Sequence, residues 1–254
     1  MKYPLRAFVL ALAVMSCTNK KVSGPALNIK TTMKVFEFAS TPQQEDTTVV
    51  ASYKVTYPVF EGVDENVANK ITFKIDSLLT QGYSEAMPLT IQQASQAFVH
   101  QFEEYQMEDP TSKQRWYFSG IVGVNIVSDT LISLAIFRDE YTGGGHPNTR
   151  TDFLNIDPHT GDDILLAHEL EEGFEAPLTV VGEKVFRTVR QIPDSSSLSN
   201  SYFEFPQDKF RLTKTYGFTK KGILFFYNNY EIAPYAIGPT EVLVPYSEIK
   251  DWLR

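Results

Sequence analysis

Apolar and polar residues alternate cleanly from Val49 to Tyr57, with Ala51, Tyr53, Val55 and Tyr57 on one face and Ser52, Lys54 and Thr56 on the other. A period of two over this length predicts a half-buried strand. Met33 to Phe38 predicts a shorter strand before it, and Ser40 to Thr47 a polar turn between them. Past Pro58 and Gly62 the period lengthens. Val63, Val67, Ile71, Ile75, Leu78 and Leu79 recur at three- and four-residue steps, the inner face of an amphipathic helix that ends at Gly82. Thr90 opens a second helix, with Gln93 at the spacing of a capping box. Ile91, Ala94, Phe98, Phe102 and Tyr105 line its inner face, His100 falls beside that stripe, and the helix stops before Asp109-Pro110.

Two long strands follow. Trp116, Phe118, Val122, Val124 and Ile126 alternate with Tyr117, Ser119, Ile121 and Asn125, and after Ser128-Asp129-Thr130 the chain returns through Leu131 to Tyr141 as the second arm of a hairpin. A second lobe is expected from there. It contains a strand over Arg150–Ile156, a turn at Asp157-Pro158-His159-Thr160-Gly161, and a helix to Arg190 with Pro177 at its first position. Phe210–Phe218 and Ile223–Tyr227 then form a hairpin, Glu241–Pro245 a strand, and Ser247 caps a terminal helix with Ile249, Trp252 and Leu253 inward. The fold class is α+β: antiparallel sheets with helices packed on one side, in two abutting lobes.

Between the lobes stands Tyr141-Thr142-Gly143-Gly144-Gly145-His146-Pro147-Asn148. Glycines admit positive φ, and proline holds His146 towards extended backbone, so the stretch predicts a sharp corner with one imidazole beside exposed N–H groups. Such a corner suits an anion or a sugar hydroxyl. It also suits, and more readily, a plain connection in which a strand leaves the sheet and His146 bonds its own loop. Downstream, Tyr227, Tyr230, Tyr235 and Tyr246 with Pro234 and Pro239 form either a proline-stiffened recognition surface or a packed crossover.

The first seventeen residues read as a targeting segment. Lys2 and Arg6 precede the apolar run Ala7–Met15, which is shorter than the roughly 20 residues that span a bilayer. The run ends in Val14-Met15-Ser16-Cys17, which resembles a lipobox, and Cys17 is the chain's one cysteine. Residues 18–30 are polar and read as a flexible tether. The expected placement is the cell envelope, outside the cytoplasm, tethered to a membrane by lipid on Cys17. The 31 acidic and 23 basic residues give a net charge of −8, which disfavours nucleic acid as a partner.

Catalytic patterns are sparse. The histidines at 100, 146, 159 and 168 lack HxxxH or HExxH spacing, and no second cysteine completes a zinc set. His146, His159, Asp157, Asp162 and Asp163 converge only if their two loops share one end of a sheet. No metal or cofactor is assigned. There is no Gly-x-Ser-x-Gly elbow, and Glu169, Glu171 and Glu172 read as a solvated cluster.

Gly143-Gly-Gly-His-Pro-Asn148, Asn155-Ile-Asp157 with Thr160-Gly161, and Tyr230-Glu-Ile-Ala-Pro-Tyr-Ala-Ile-Gly238 with Val244-Pro-Tyr246 carry a resemblance. They resemble the paired domain-of-unknown-function module of the RsiV sensor region and the non-catalytic N-terminal region of PdaC; the preceding Tyr57-Pro-Val-Phe-Glu-Gly62 and the helix after it resemble the first half of that pair. The resemblance implies a PdaC-like lobe over 31–140 and an RsiV-like lobe over 141–254. It also implies a non-enzymatic envelope protein that binds a wall glycan or a wall-degrading enzyme such as lysozyme. Gly143, Gly144, Gly145, His146, Asn148, Asp157, Tyr230 and Tyr235 are the candidate ligand residues. The chain lacks a sigma-binding segment and a deacetylase metal motif. Two alternatives stand beside this reading: a peptidoglycan hydrolase or deacetylase using His146 with Asp157 or Asp162, and a structural envelope lipoprotein. Intact-mass spectrometry of membrane-extracted protein is expected to show a chain that begins at a diacyl- or triacyl-modified Cys17; a free thiol there, or retained Met1, refutes lipidation.

Overall fold

A computed structural model describes residues 26–42, 48–84 and 87–254. The expected signal segment, Cys17 and most of the tether lie outside the described residues. Among the described residues, eight strands form two sheets. The first has the order β1 (Lys30–Ala39), β2 (Ala51–Glu61), β3 (Trp116–Val127), β4 (Ile132–Tyr141), β5 (Asn148–Ile156), and the second is β6 (Tyr216–Phe218), β7 (Gly222–Tyr227), β8 (Thr240–Pro245). The class is α+β as the pattern predicts. One pair departs from the antiparallel rule: β2 and β3 run parallel, because helices α1 (Glu65–Leu79) and α2 (Ile91–Glu108) carry the chain across between them.

The capping signals act as expected. Asp64 accepts from Asn66 N at the start of α1, and Thr90 and Gln93 bond reciprocally at the start of α2. Val67, Ile71, Ile75 and Leu79 of α1 and Ile91, Ala94, Phe98 and Phe102 of α2 are buried against Tyr53, Val55, Phe118, Leu134 and Ile136. Tyr53 stacks on Phe118 at 4.3 Å between ring centres. His100 stays on the surface near Glu104.

β5 corrects the expected lobe division. Its residues pair with β4 from Glu140↔Asn148 to Ile132↔Ile156, so it completes the first sheet instead of opening the second lobe. Leu154 and Ile156 belong to the first core, and the second core begins at Ile164. That second core packs α4 (Glu175–Arg190) against the β6–β8 sheet, around Phe186, Phe225 and Tyr227; a single turn, α3 (Leu166–Glu169), precedes it. Pro177 is the third residue of α4, not its first. The strand expected over Phe210–Phe218 is confined to β6. The terminal helix is two 3-10 turns, Tyr246–Glu248 and Lys250–Trp252, with Ile249 buried and Leu253 37% exposed.

The two sheets meet through side chains of β5. On the face away from α1 and α2, Asn155 Oδ1 accepts from Ser133 Oγ at 2.8 Å and from Phe218 N at 3.1 Å, while Nδ2 donates to Tyr216 O at 3.0 Å. Beside it β6 lies so close that a Cβ on Gly217 would sit 2.3 Å from Phe153 Cδ1. Asn155 is buried, so losing its amide strands the buried N–H of Phe218 and the partly buried C=O of Tyr216. Asn155→Ala is expected to lower unfolding stability by about 2–4 kcal/mol in denaturant titration, whereas Ser133→Ala costs about 1 kcal/mol.

Candidate functional site

The glycine corner is a hairpin loop joining β4 to β5, both of which stay in the sheet. Gly143 and Gly144 sit at φ +106° and +96°, backbone that a side chain resists, and a Cβ on Gly143 would also meet Gln114 Oε1 at 2.5 Å. Gly145 has neither constraint. Tyr141 OH donates to Gly144 O at 3.1 Å and closes the loop on itself.

His146 is exposed at the tip. Its Nδ1 lies 2.8 Å from Pro147 O and its Nε2 3.0 Å from Tyr230 OH. A carbonyl only accepts, so Nδ1 carries the proton and, in the neutral ring, Nε2 accepts from the Tyr230 hydroxyl. The imidazole stacks on Tyr235 at 3.7 Å and 14° between planes. Tyr235 OH in turn donates to Pro147 O at 3.4 Å. Corner and tyrosine loop, 84 residues apart in sequence, form one surface. Tyr117 and Tyr141 stack at 6.1 Å on the neighbouring strands and extend it.

The tyrosine loop is positioned from both ends. Asn228 Oδ1 accepts from Thr151 N and its Nδ2 donates to Thr151 O, as a further strand would at the free edge of β5. Asn229 Nδ2 donates to Thr149 Oγ1, and Glu231 accepts from Asn228 N. Between these anchors Tyr230 is forced to φ +65° and is 64% exposed. At the far end, the Arg190 guanidinium lies over the Phe203 ring, donates to the carbonyls of Ile237, Gly238 and Pro239, and reaches Thr240 Oγ1. Burial lowers the Arg190 pKa, but the group stays a cation.

Other candidates are elsewhere. Tyr227 is buried and gives its hydroxyl to Arg211 O; Tyr246 packs against the second core. Asn148 is exposed at the foot of the corner. Asp157 is not in the site. The nine residues of β5 separate it from His146 by roughly 30 Å of strand. There Asp157 Oδ1 accepts from His159 N in a turn, while Asp162 and Asp163 pair with Lys70 and Lys74 of α1. The two loops thus occupy opposite ends of the sheet, and the five His and Asp side chains do not converge.

The sequence reading missed the charged flank. Arg150 donates Nε and Nη2 to Asp152, whose carboxylate also lies 3.6 Å from Arg138. The hydrogen bond to Asp152 raises the Arg150 pKa, whereas burial lowers that of Arg138. Both arginines share the inward face of adjacent strands, a register that alternation alone does not reveal.

The fold is thus a mixed five-stranded sheet with a smaller α/β unit docked on its outer face, carrying an aromatic site where they join. Residues 44–149 match the family "Deacetylase PdaC", and residues 170–247 match "Protein of unknown function (DUF3298)". The chain carries the paired module that its motifs indicate. Among solved structures, it is similar to a member of the DUF3298 family from Bacteroides fragilis NCTC 9343, with TM-score 0.67, 19% identity, and coverage of 90% of this chain and 94% of that one. It is also similar to a DUF3298 family protein from Pseudomonas aeruginosa PAO1, with TM-score 0.62, 16% identity, and coverage of 89% and 94%. At these identities the likeness is one of fold. A search of curated proteins finds no match.

Gly143→Ala is expected to cost about 1–2 kcal/mol of stability, from its φ and the Gln114 contact. Gly145→Ala should stay within about 0.5 kcal/mol. Thermal melts of the two variants separate the outcomes, and equal melting temperatures would refute the assigned loop geometry.

Proposed function

We propose that the folded part is a non-catalytic docking module of the cell envelope, tethered outside the cytoplasm by lipid on Cys17. Its ligand is a wall glycan or a wall-degrading enzyme such as lysozyme, bound at the corner and the tyrosine loop. The observation that carries this reading is the exposed imidazole of His146, held between the face of Tyr235 and the hydroxyl of Tyr230. Rings fixed in this way offer contact area with little side-chain entropy left to lose on binding. The resemblance to the RsiV sensor region, which binds lysozyme, supports the same class of ligand.

The geometry gives the hydrolase or deacetylase alternative little support. An acid–base pair must stand within hydrogen-bond reach of one reacting group, and Asp157 and Asp162 lie at the other end of β5 from His146. Both imidazole nitrogens are already engaged within the site.

Calorimetric titration of the full-length chain in detergent, against lysozyme and against soluble wall fragments, tests the proposal. Binding of one of the two is expected, weakened at least about tenfold by Tyr235→Ala, the usual effect of truncating a stacked aromatic anchor. Phe73→Ala, 60% exposed on α1, should leave binding unchanged. Absence of heat with every ligand, or indifference to Tyr235→Ala, rejects the docking surface.

A further inference from the structure

Tyr230 faces two ways. Its hydroxyl meets His146, while the residue also lines a groove of about 470 Å3 with Arg150, Lys214, Asn229 and Glu231. That volume lies within the usual range for small-molecule sites, roughly 300–1,000 Å3. A second concavity, about 540 Å3, is walled mainly by apolar surface, Leu166, Phe174, Leu178 and Phe225 among its lining, and shares Lys214 with the first. The groove beside Tyr230 is the more polar of the two.

We propose that this groove takes a saccharide bearing a carboxylate, with the sugar ring on Tyr230 and the carboxylate on Arg150 and Lys214. The inference rests on the docking reading above and narrows its ligand. Three features support it. First, Arg150 is oriented: Nε and Nη2 are held by Asp152, so the guanidinium plane is fixed and Nη1 remains for a ligand. Asp152 is shared with Arg138 and therefore does not fully neutralise Arg150. An arginine held in this way suits a planar carboxylate better than a neutral hydroxyl. Second, Lys214 is exposed, lines the same groove and adds a second cation. Third, the left-handed backbone at Tyr230 turns the ring outward, and its hydrogen bond to His146 fixes that orientation. Glu231 is the acidic wall. Its Oε2 accepts from Asn228 N, and its other oxygen suits a sugar hydroxyl, a donor that a carboxylate anion lacks.

The test uses the full-length chain in detergent and two probes: the disaccharide N-acetylglucosaminyl-N-acetylmuramic acid, and the same disaccharide with its lactyl carboxylate converted to a carboxamide. The acid is expected to bind about tenfold more tightly, the usual worth of a charge-assisted contact. Lys214→Ala, at an exposed position, should weaken the acid about threefold to tenfold and leave the amide unchanged. Arg150→Gln should do the same more strongly, and a thermal melt reports whether that variant is folded. Equal affinity for acid and amide, with Tyr230→Ala still weakening both, overturns the carboxylate inference and leaves the docking surface standing. Failure of both saccharides to bind also overturns it, and the docking reading is then decided by lysozyme binding and its response to Tyr235→Ala.

Discussion

Everything distinctive about this molecule hangs on the outer edge and outer face of β5, where asparagine side chains stand in for a missing strand. An amide side chain carries a donor and an acceptor side by side, the same pair that a peptide group presents. Asn155 uses that pair to pin the second sheet onto the face of the first, and Asn228 uses it to occupy the backbone of Thr151. An open edge invites uncontrolled pairing with other chains. Here the edge is covered by a loop whose side chains make the bonds, and that loop is the one that presents Tyr230.

The site is rigid for reasons that can be named. Glycines at positive φ set the corner, proline and a tyrosine hydroxyl close it, and Arg190 grips three successive carbonyls behind the tyrosine loop. Tyr230 itself sits in left-handed backbone, a conformation that costs a non-glycine residue about 1–2 kcal/mol. Such strain persists only where surrounding bonds impose it, and it tends to gather at sites that bind. The combination suits recognition by a preformed surface rather than by a loop that orders on contact.

The matched families and the sheets divide the chain differently. The match to "Deacetylase PdaC" ends at Thr149, the second residue of β5, whereas the first sheet continues to Ile156. The two matched regions are therefore joined by a strand that belongs structurally to the first and is bonded to the second. The corner loop and the aromatic site fall at this seam. Ligand sites commonly form where two structural units meet, since each contributes side chains to one concave surface. Shared fold with solved proteins of the DUF3298 family does not by itself carry an activity across, so function here is argued from the site residues.

Local physics was legible in the residues themselves. The period of β2, the stripes of α1 and α2, the Thr90–Gln93 cap and the β3–β4 hairpin each depend on neighbours a few positions away, and each stands where the pattern puts it. The glycines and His146 marked the corner because backbone freedom and proline restriction are properties of the residue, not of its surroundings. The parallel β2–β3 pair, the sheet to which β5 belongs, and the length of strand, roughly 30 Å, that removes Asp157 from His146 were not legible, because pairing partners are chosen by long-range packing. The same reason hid Arg150 and Lys214, whose meaning comes from what stands opposite them. Sequence alone determined which residues are stiff, apolar or sharply turned; tertiary structure decided which of them meet, since a contact spanning 84 residues leaves no local trace in the chain.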